Sequence, residues 1–431
     1  MSCRKDGCLN KASAAIGCVL RCWAAAACIF GLPALAQGAG SGGIALDMAF
    51  ETFAEGRSNP QLVGANPQHL NQIGSAFSFG VLTETRSQEL SLTGGVSLRA
   101  TDGRGGESVA HGVVDPFLAL RYARQARDAS LSFDLRFHET DLVQTAPGAF
   151  GASIQTGTAK RREVGAEMGL KWRETAPLGF GVLASVQKTA FIDGTAFGQG
   201  GQVLRGTTRQ RVEAQARFDL DAAHHLVATM GYGAFRQEGT MGQRESFHLD
   251  NVYQIDRPWG PFAVNFRYTR TEAGHRFSGM VRRELTLPDG LVRAGIGAAR
   301  GATGGRYVTG NLEYKTALVR GSFEARLRRD LTSSDQDDSE QINTSIGVRY
   351  TFDATPLDGI TVDINWAEAK NTQSGLTTMN RVFAISYARE LSRTARFNIG
   401  LRRRVLRDSV TGVGRSNEIF MSLSRQFSAR F

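Results

Sequence analysis

From Ile44 to the carboxyl terminus, apolar side chains recur at every second position, in segments of about ten residues broken by polar or glycine-bearing stretches. The first segment places Ile44, Leu46, Met48 and Phe50 on one face, with Asp47 and Glu51 on the other. The alternation returns at Phe77/Phe79/Val81, Leu90/Leu92/Val96/Leu98, Leu131/Phe133/Leu135/Phe137 and Val164/Met168/Leu170/Trp172. It persists at Phe180/Val182/Val186, Phe262/Val264/Phe266/Tyr268, Ile346/Val348/Tyr350/Phe352, Ile360/Val362/Ile364/Trp366 and Phe397/Ile399/Leu401. A period of two predicts strands, one face apolar and one polar, and helical spacing is almost absent.

The connections alternate as well. Tight turns are expected near 86–88, 125–128, 174–177, 221–223, 257–261, 288–290, 316–317, 353–358 and 390–392. Longer polar stretches lie between them, at 56–72, 101–109, 139–159, 190–206, 237–243, 270–274, 301–305, 330–341, 368–375 and 406–415. Nine turns and ten loops join about twenty strands, and an even number returns both ends of the sheet to one side. The prolines beyond residue 36 fall in these connections, where a missing N–H breaks no ladder, except Pro116 near the start of a strand.

Composition narrows the class. Glycine is abundant (50 residues) and proline scarce (10), as many strands joined by glycine turns require. The only apolar run approaching the length of a membrane helix is 22–36, which removes multi-span helical proteins from consideration. That run follows Arg4, Lys5, Lys11 and Arg21 and ends in Ala34-Leu35-Ala36, the small-x-small form of a cleavage site, so residues 1–36 read as a signal peptide. All five cysteines (Cys3, Cys8, Cys18, Cys22, Cys28) lie within it. A mature chain beginning at residue 37 therefore has no disulfide framework, no thiolate metal site and no cysteine nucleophile. It keeps 47 basic and 40 acidic residues, a dispersed surplus of seven that gives no basic patch for nucleic acid.

Two architectures use many strands. A propeller needs about four short strands per blade of roughly 40 residues and a recurring blade motif. Here each interval of that size holds two strands of about ten residues, and no such motif recurs. The expected fold is all-β: a single antiparallel up-and-down transmembrane β-barrel of about 20 strands, within a range of 16–22, over residues 37–431. With the apolar register on lipid, Arg99, Arg136, Lys171, Arg217, Arg267, Arg326, Arg328, Arg349, Arg396, Arg402 and Arg404 face the lumen. A charge on the lipid face would cost about 2–4 kcal/mol at the midplane. Asp47, Glu51, Asp134, Glu167, Glu213, Glu324 and Asp363 share the inner face, so the arginines either build a network of ion pairs or bias a channel toward anions.

The last strand, Ile419 to Phe431, ends in phenylalanine and resembles the closing strand of bacterial outer-membrane barrels. The resemblance implies that Phe427, Ala429 and Phe431 form the signal read by the barrel-assembly machinery, although Ala429 is small and Arg425 falls on the lipid register. The stretch 55–60 after the first strand loosely resembles porin-like barrels, some associated with exopolysaccharide export. Membership of this class implies a Gram-negative outer-membrane protein in contact with membrane lipid and lipopolysaccharide. About seven residues between the cleavage site and the first strand are too few for a plug, so restriction of the lumen falls to loops, first of all 139–159.

Candidate chemistry elsewhere is sparse. The pair His224-His225 lies at a turn on opposite strand faces and is read as solvated, the acidic run 335–340 as a solvated loop tip. His138 and Asp134 share a face without a nucleophile to complete a hydrolase site. Gly103-Arg104-Gly105-Gly106 and Gly301-Ala302-Thr303-Gly304-Gly305 do not run from a strand into a helix, as a phosphate loop would. The expectation is an outer-membrane channel for passive or secretion-linked passage of small hydrophilic solutes, anions among them, or of polysaccharide, with no enzymatic activity, metal or cofactor. The alternative is a structural or interaction barrel with a closed lumen and partner-binding loops.

Overall fold

The computed structural model describes residues 43–62, 69–103, 112–142, 156–198, 203–240, 242–333 and 339–431. The strands are β1 (Gly43–Arg57), β2 (Leu70–Glu84), β3 (Gln88–Gly103), β4 (Gly112–Gln125), β5 (Ala129–Asp141), β6 (Thr156–Gly157), β7 (Lys160–Trp172), β8 (Leu178–Ile192), β9 (Ala196–Phe197), β10 (Thr207–Asp219) and β11 (His224–Gln237). They continue as β12 (Arg244–Ile255), β13 (Phe262–Thr271), β14 (Gly274–Leu287), β15 (Gly290–Arg300), β16 (Arg306–Leu318), β17 (Gly321–Ser333), β18 (Glu340–Thr355), β19 (Asp358–Asn371), β20 (Thr377–Glu390), β21 (Ala395–Asp408) and β22 (Gly412–Arg430). Twenty of them form one antiparallel sheet in which each strand pairs with its neighbours in sequence, and β1 pairs with β22 to close it. The short β6 and β9 pair with each other outside this sheet, and Phe197 of β9 also bridges Val203.

Closure fixes the two rims. Ile44 and Phe431 exchange backbone hydrogen bonds of 3.1 and 2.8 Å, so both ends of the sheet lie on the rim that carries the tight turns. These turns are built by local side-chain acceptors. Asp128 accepts from the N–H and hydroxyl of Thr175 at 2.8 and 2.6 Å, linking two adjacent turns. Asp221 accepts the N–H groups of Ala223 and His224 at 2.8 and 2.9 Å, an Asx turn that starts β11. Both carboxyls are held below the usual aspartate range, chiefly by those hydrogen bonds: Thr175 for Asp128 and the Ala223 N–H for Asp221.

All nine expected turns are present, and the strand count is the expected twenty. Most of the expected loops are shorter than the sequence pattern suggested, while 301–305 keeps its expected bounds. Strands reach 19 residues in β22, and between β21 and β22 the stretch read as a loop over 406–415 shrinks to residues 409–411, with Gly412 at φ 88°. The turn expected at 316–317 lies at 319–320. Backbone pairing continues through polar sequence beyond the apolar band, because the ladder hydrogen bonds need no apolar side chain to form.

Pro116 is accommodated by a bulge. Gly95 pairs with Phe117 and Ser97 with Val114, leaving Asp115 and Pro116 opposite a single residue, with Asp115 at φ 49°. The proline thus withdraws no donor from the ladder. On the loop rim, Leu142, Ala159, Ala196 and Leu204 pack with Phe191 into a small buried cluster beside the β6–β9 pairing. This joins the feet of the two long loops sideways; the inward fold expected of 139–159 concerns mainly residues outside those described, as does the signal segment 1–36.

Candidate pore wall

Burial separates the two faces of the sheet. Leu98, Val212, Met230, Ile296, Val308, Leu401 and Ile419 are exposed on the apolar face, whereas Arg57, Glu340, Arg404, Asp408, Ser416 and Glu418 are buried on the polar one. Side chains on the concave face of a closed sheet crowd together, so the charged face is the inner one. The chain orders charges there by pairing them, because an unpaired buried charge is strongly disfavoured.

The densest arrangement joins β21, β22, β1, β3 and β4 near the loop rim. Glu418, with a side chain 1% exposed, receives Arg402 at 2.7 Å, Arg404 at 2.9 Å and Arg57 at 3.2 Å. Arg57 also meets Glu55 at 2.9 Å. Next to them Arg99 pairs with Asp115, the residue that the bulge at Pro116 turns toward it. Two inward phenylalanines fill the gaps. Phe420 lies against Gly400, where a Cβ would stand 2.5 Å from the ring, and the Arg402 guanidinium sits 5.0 Å above it. Phe53 occupies the corresponding space over Gly74, under Arg99 at 6.0 Å. Together they line a cavity of about 340 Å³. Arg57, Glu55, Asp115 and Glu418 were not among the residues expected from sequence; a proline inside a strand was the signal for the Asp115 bulge.

A second network runs along β12 to β19. Glu313 is shared by Arg293 at 3.5 Å, Lys315 at 2.8 Å and Arg326 at 3.6 Å, and Arg326 also pairs with Glu324. Arg328 meets Asp330 at 2.8 Å, Arg349 meets Asp363 at 2.7 Å, and Arg267 Nε meets Asp250 at 2.9 Å. Arg136 approaches Glu167 at 3.9 Å with both side chains open to solvent, an exposed pair of small energetic weight. Arg217 faces the turn rim, where it donates to the Ala176 carbonyl at 3.2 Å and meets Asp219 at 3.1 Å.

Of the eleven basic residues expected on the inner wall, nine therefore have a carboxylate within 4 Å. Lys171 and Arg396 have none among the described residues. Lys171 lines a cavity of about 670 Å³ near the turn rim, with Ser130, Arg121, Glu213 and Gln215. Arg396 is exposed at the start of β21.

The remaining candidates resolve into packing and turns. No cluster of metal-ligating side chains occurs among the described residues. His224 bonds Asp221 at 2.8 Å and His225 bonds Asp219 at 2.7 Å, so the adjacent imidazoles address different carboxylates. His138 contacts the Thr140 hydroxyl at 2.8 Å. Residues 301–305 form a tight turn closed by the Gly301 N–H to Gly305 carbonyl bond of 2.8 Å. Glu340 corrects the expectation of a solvated acidic tip: its side chain is 0% exposed, meets Arg276 at 3.0 Å and accepts the Ala302 N–H at 2.6 Å. It thereby ties the start of β18 to β14 and to the β15–β16 turn. Residues 104–106 and 335–338 lie outside the described residues.

The residues expected to form an assembly signal sit on the closing seam: Phe427 opposite Met48, Ala429 opposite Leu46, and Phe431 bonded to Ile44. Arg425, on the apolar register, places its guanidinium 4.7 Å over the Phe427 ring, opposite Ala395 at the turn rim.

No protein-family model and no curated protein matches the sequence. Among solved structures, a mutant of the ferric enterobactin receptor PfeA from Pseudomonas aeruginosa is 10% identical, with a TM-score of 0.51 over 91% of this chain and 81% of that one. A second mutant of that receptor, in complex with enterobactin, is 11% identical, with a TM-score of 0.50 over 91% and 82%. Pseudomonas aeruginosa OpdK with vanillate is 12% identical, with a TM-score of 0.42 over 90% and 99%. With its twenty strands closed by the β1–β22 pairing, this chain has the fold of the bacterial outer-membrane β-barrels.

Proposed function

We propose that the protein is an integral outer-membrane channel that passes small hydrophilic solutes through the barrel lumen, exported by way of residues 1–36 and inserted by recognition of Phe427, Ala429 and Phe431. The closed sheet of twenty strands carries the reading, since barrels of 16–18 strands already enclose an aqueous channel. A charged inner face supports it. Anion preference, within this reading, comes from Lys171 and Arg396, which have no carboxylate within 4 Å among the described residues, while the nine paired cations mainly build the wall. The chemistry is passage, with no catalytic step.

Reconstitution of the folded protein into planar bilayers is expected to give stepwise conductance with a reversal potential shifted toward anions. A correctly folded barrel that never conducts would sink the channel. The buried Glu340–Arg276 tie favours one second reading, a closed barrel whose loops bind a partner or polysaccharide. A deletion strain with unchanged solute uptake and altered adhesion or exported polysaccharide would select it.

A further inference from the structure

The outer face of β20, β21 and β22 carries a feature that neither a channel nor its wall requires. Three successive cross-strand rows there read Phe383–Arg403–Asn417, Arg381–Val405–Arg415 and Met379–Arg407–Val413. Each row is one step of two residues further toward the loop rim. Immediately on the turn-rim side, the rows Ile385–Leu401–Ile419 and Tyr387–Ile399–Met421 are apolar. Four arginines therefore surround Val405 at the edge of the apolar band. Arg403 and Arg407 lie about 13 Å apart along β21, and Arg381 and Arg415 about 10 Å apart across it, from the ordinary spacings of a sheet.

All four are exposed, and none makes an ion pair or side-chain hydrogen bond among the described residues. Other outward arginines near this rim are paired or stand apart: Arg236 faces Thr208 on β10, and Arg270 lies between Phe247 and His275. Arg162 is bonded to Glu139 at 2.8 Å, and Arg329 donates to the Val308 carbonyl at 3.2 Å. Arg300 and Arg306 face each other as a single pair on β15 and β16. The nearest carboxylate on the patch's own face is Glu368, opposite Met379 on β19. Four unpaired cations at the border of a hydrocarbon layer call for anions at the same depth, and the loop rim of such a barrel faces the outer surface. A guanidinium fork matches phosphate oxygens bidentately, which a single point charge does not.

We propose that Arg381, Arg403, Arg407 and Arg415 form a binding site for the phosphorylated headgroup of an outer-leaflet glycolipid, its acyl chains lying along Ile385, Leu401 and Ile419. The spread of the four guanidinium anchors suits a headgroup with two phosphates better than one. The site rests on the outer-membrane placement of the barrel and is independent of whether the lumen conducts.

The test compares the full-length barrel with R381S/R403S/R407S/R415S and with R236S/R270S/R300S/R306S, which removes the same charge from β11 to β16. Native mass spectrometry in detergent would titrate diphosphoryl lipid A, monophosphoryl lipid A and inorganic phosphate. The wild type and the β11–β16 variant are expected to retain one equivalent of the diphosphoryl lipid, with at least tenfold weaker retention in the β20–β22 variant. Monophosphoryl lipid should fall between, and inorganic phosphate should not displace the lipid at equal concentration. Equal retention in both variants, or displacement by free phosphate, would overturn the assignment. Heat-modifiable gel mobility establishes folding; if the fourfold variant fails to fold, R407S and R415S singly are read by the same titration, and unchanged affinity in both refutes the site. Bilayer conductance of the β20–β22 variant stays at the wild-type level, so loss of lipid binding and failure of the channel are separate results.

Discussion

The loop-rim half of the inner wall and its turn-rim end contain the same residue type in the same register and use it differently. Around Glu418, three arginines converge on one carboxylate whose side chain is 1% exposed, and Phe420 and Phe53 fill the space beside them. At the turn rim, Arg396, across the ladder from Glu390, and Lys171 have no carboxylate within 4 Å among the described residues and lie open to solvent. The guanidinium groups in the first setting are a structural cross-link over β21, β22 and β1. In the second it is a source of potential at the mouth of the barrel. Position on an inward register says only that a charge avoids lipid; its neighbours decide whether that charge reaches a solute.

The sharpest way to break this contrast is Glu418→Gln, which leaves Arg57, Arg402 and Arg404 crowded together without their shared anion. A loss of about 3–5 kcal/mol is expected in urea unfolding of the reconstituted barrel. A change below about 1 kcal/mol would show that the cluster is no cross-link. Glu340→Gln should cost less, about 1.5–3 kcal/mol, since a single arginine and one backbone N–H lose their acceptor. Its effect should concentrate in faster hydrogen exchange at Ala302 and the start of β18.

Arg396→Glu probes the other member of the comparison. Stability should change by no more than about 0.5 kcal/mol, as for an exposed side chain, while the reversal potential moves toward cations, most at low salt where the Debye length is about 30 Å. Arg402→Glu should instead destabilise the fold. An unchanged reversal potential in folded Arg396→Glu would leave the selectivity reading without its main residue.

The smallest expected effect is at the turns. Asp128 has its carboxyl lowered by the Thr175 hydrogen bonds, so its contribution is present above the unfolded-state pKa of about 3.9 and is lost as pH falls through the lower folded value. Asp128→Asn should therefore lower stability slightly at neutral pH, leave it nearly unchanged at the acid end, and so flatten the acid limb of the unfolding curve below pH 4. A parallel shift at every pH would mean that the turn depends on the side chain's shape and not on its charge.

Much of the barrel was legible because the lipid imposes a simple rule. Every backbone group must be paired within the sheet and every outward residue must be apolar, so strand number, turn positions and the facing of Arg267 or Arg349 follow from period-two alternation. The rule weakens above the hydrocarbon layer. There β21 and β22 continue as paired strands through 406–415, which by composition resembles a loop. Arg381, Arg403, Arg407 and Arg415 likewise interrupt the outward face where lipid no longer forbids charge.

The sequence alone determined the all-β class, the alternation of turns and loops, the count of about twenty strands and the two faces, since these depend on local pattern and on a uniform surrounding solvent. Only the tertiary structure decided which charges meet. Arg57 and Glu418 are separated by most of the chain and become neighbours through the closing pair of strands, and Asp115 reaches Arg99 because a bulge at Pro116 shifts the register. Closure and bulges couple distant segments through backbone hydrogen bonds that carry no side-chain signature, which is why alternation can show an arginine facing inward yet cannot show whether a carboxylate is waiting for it.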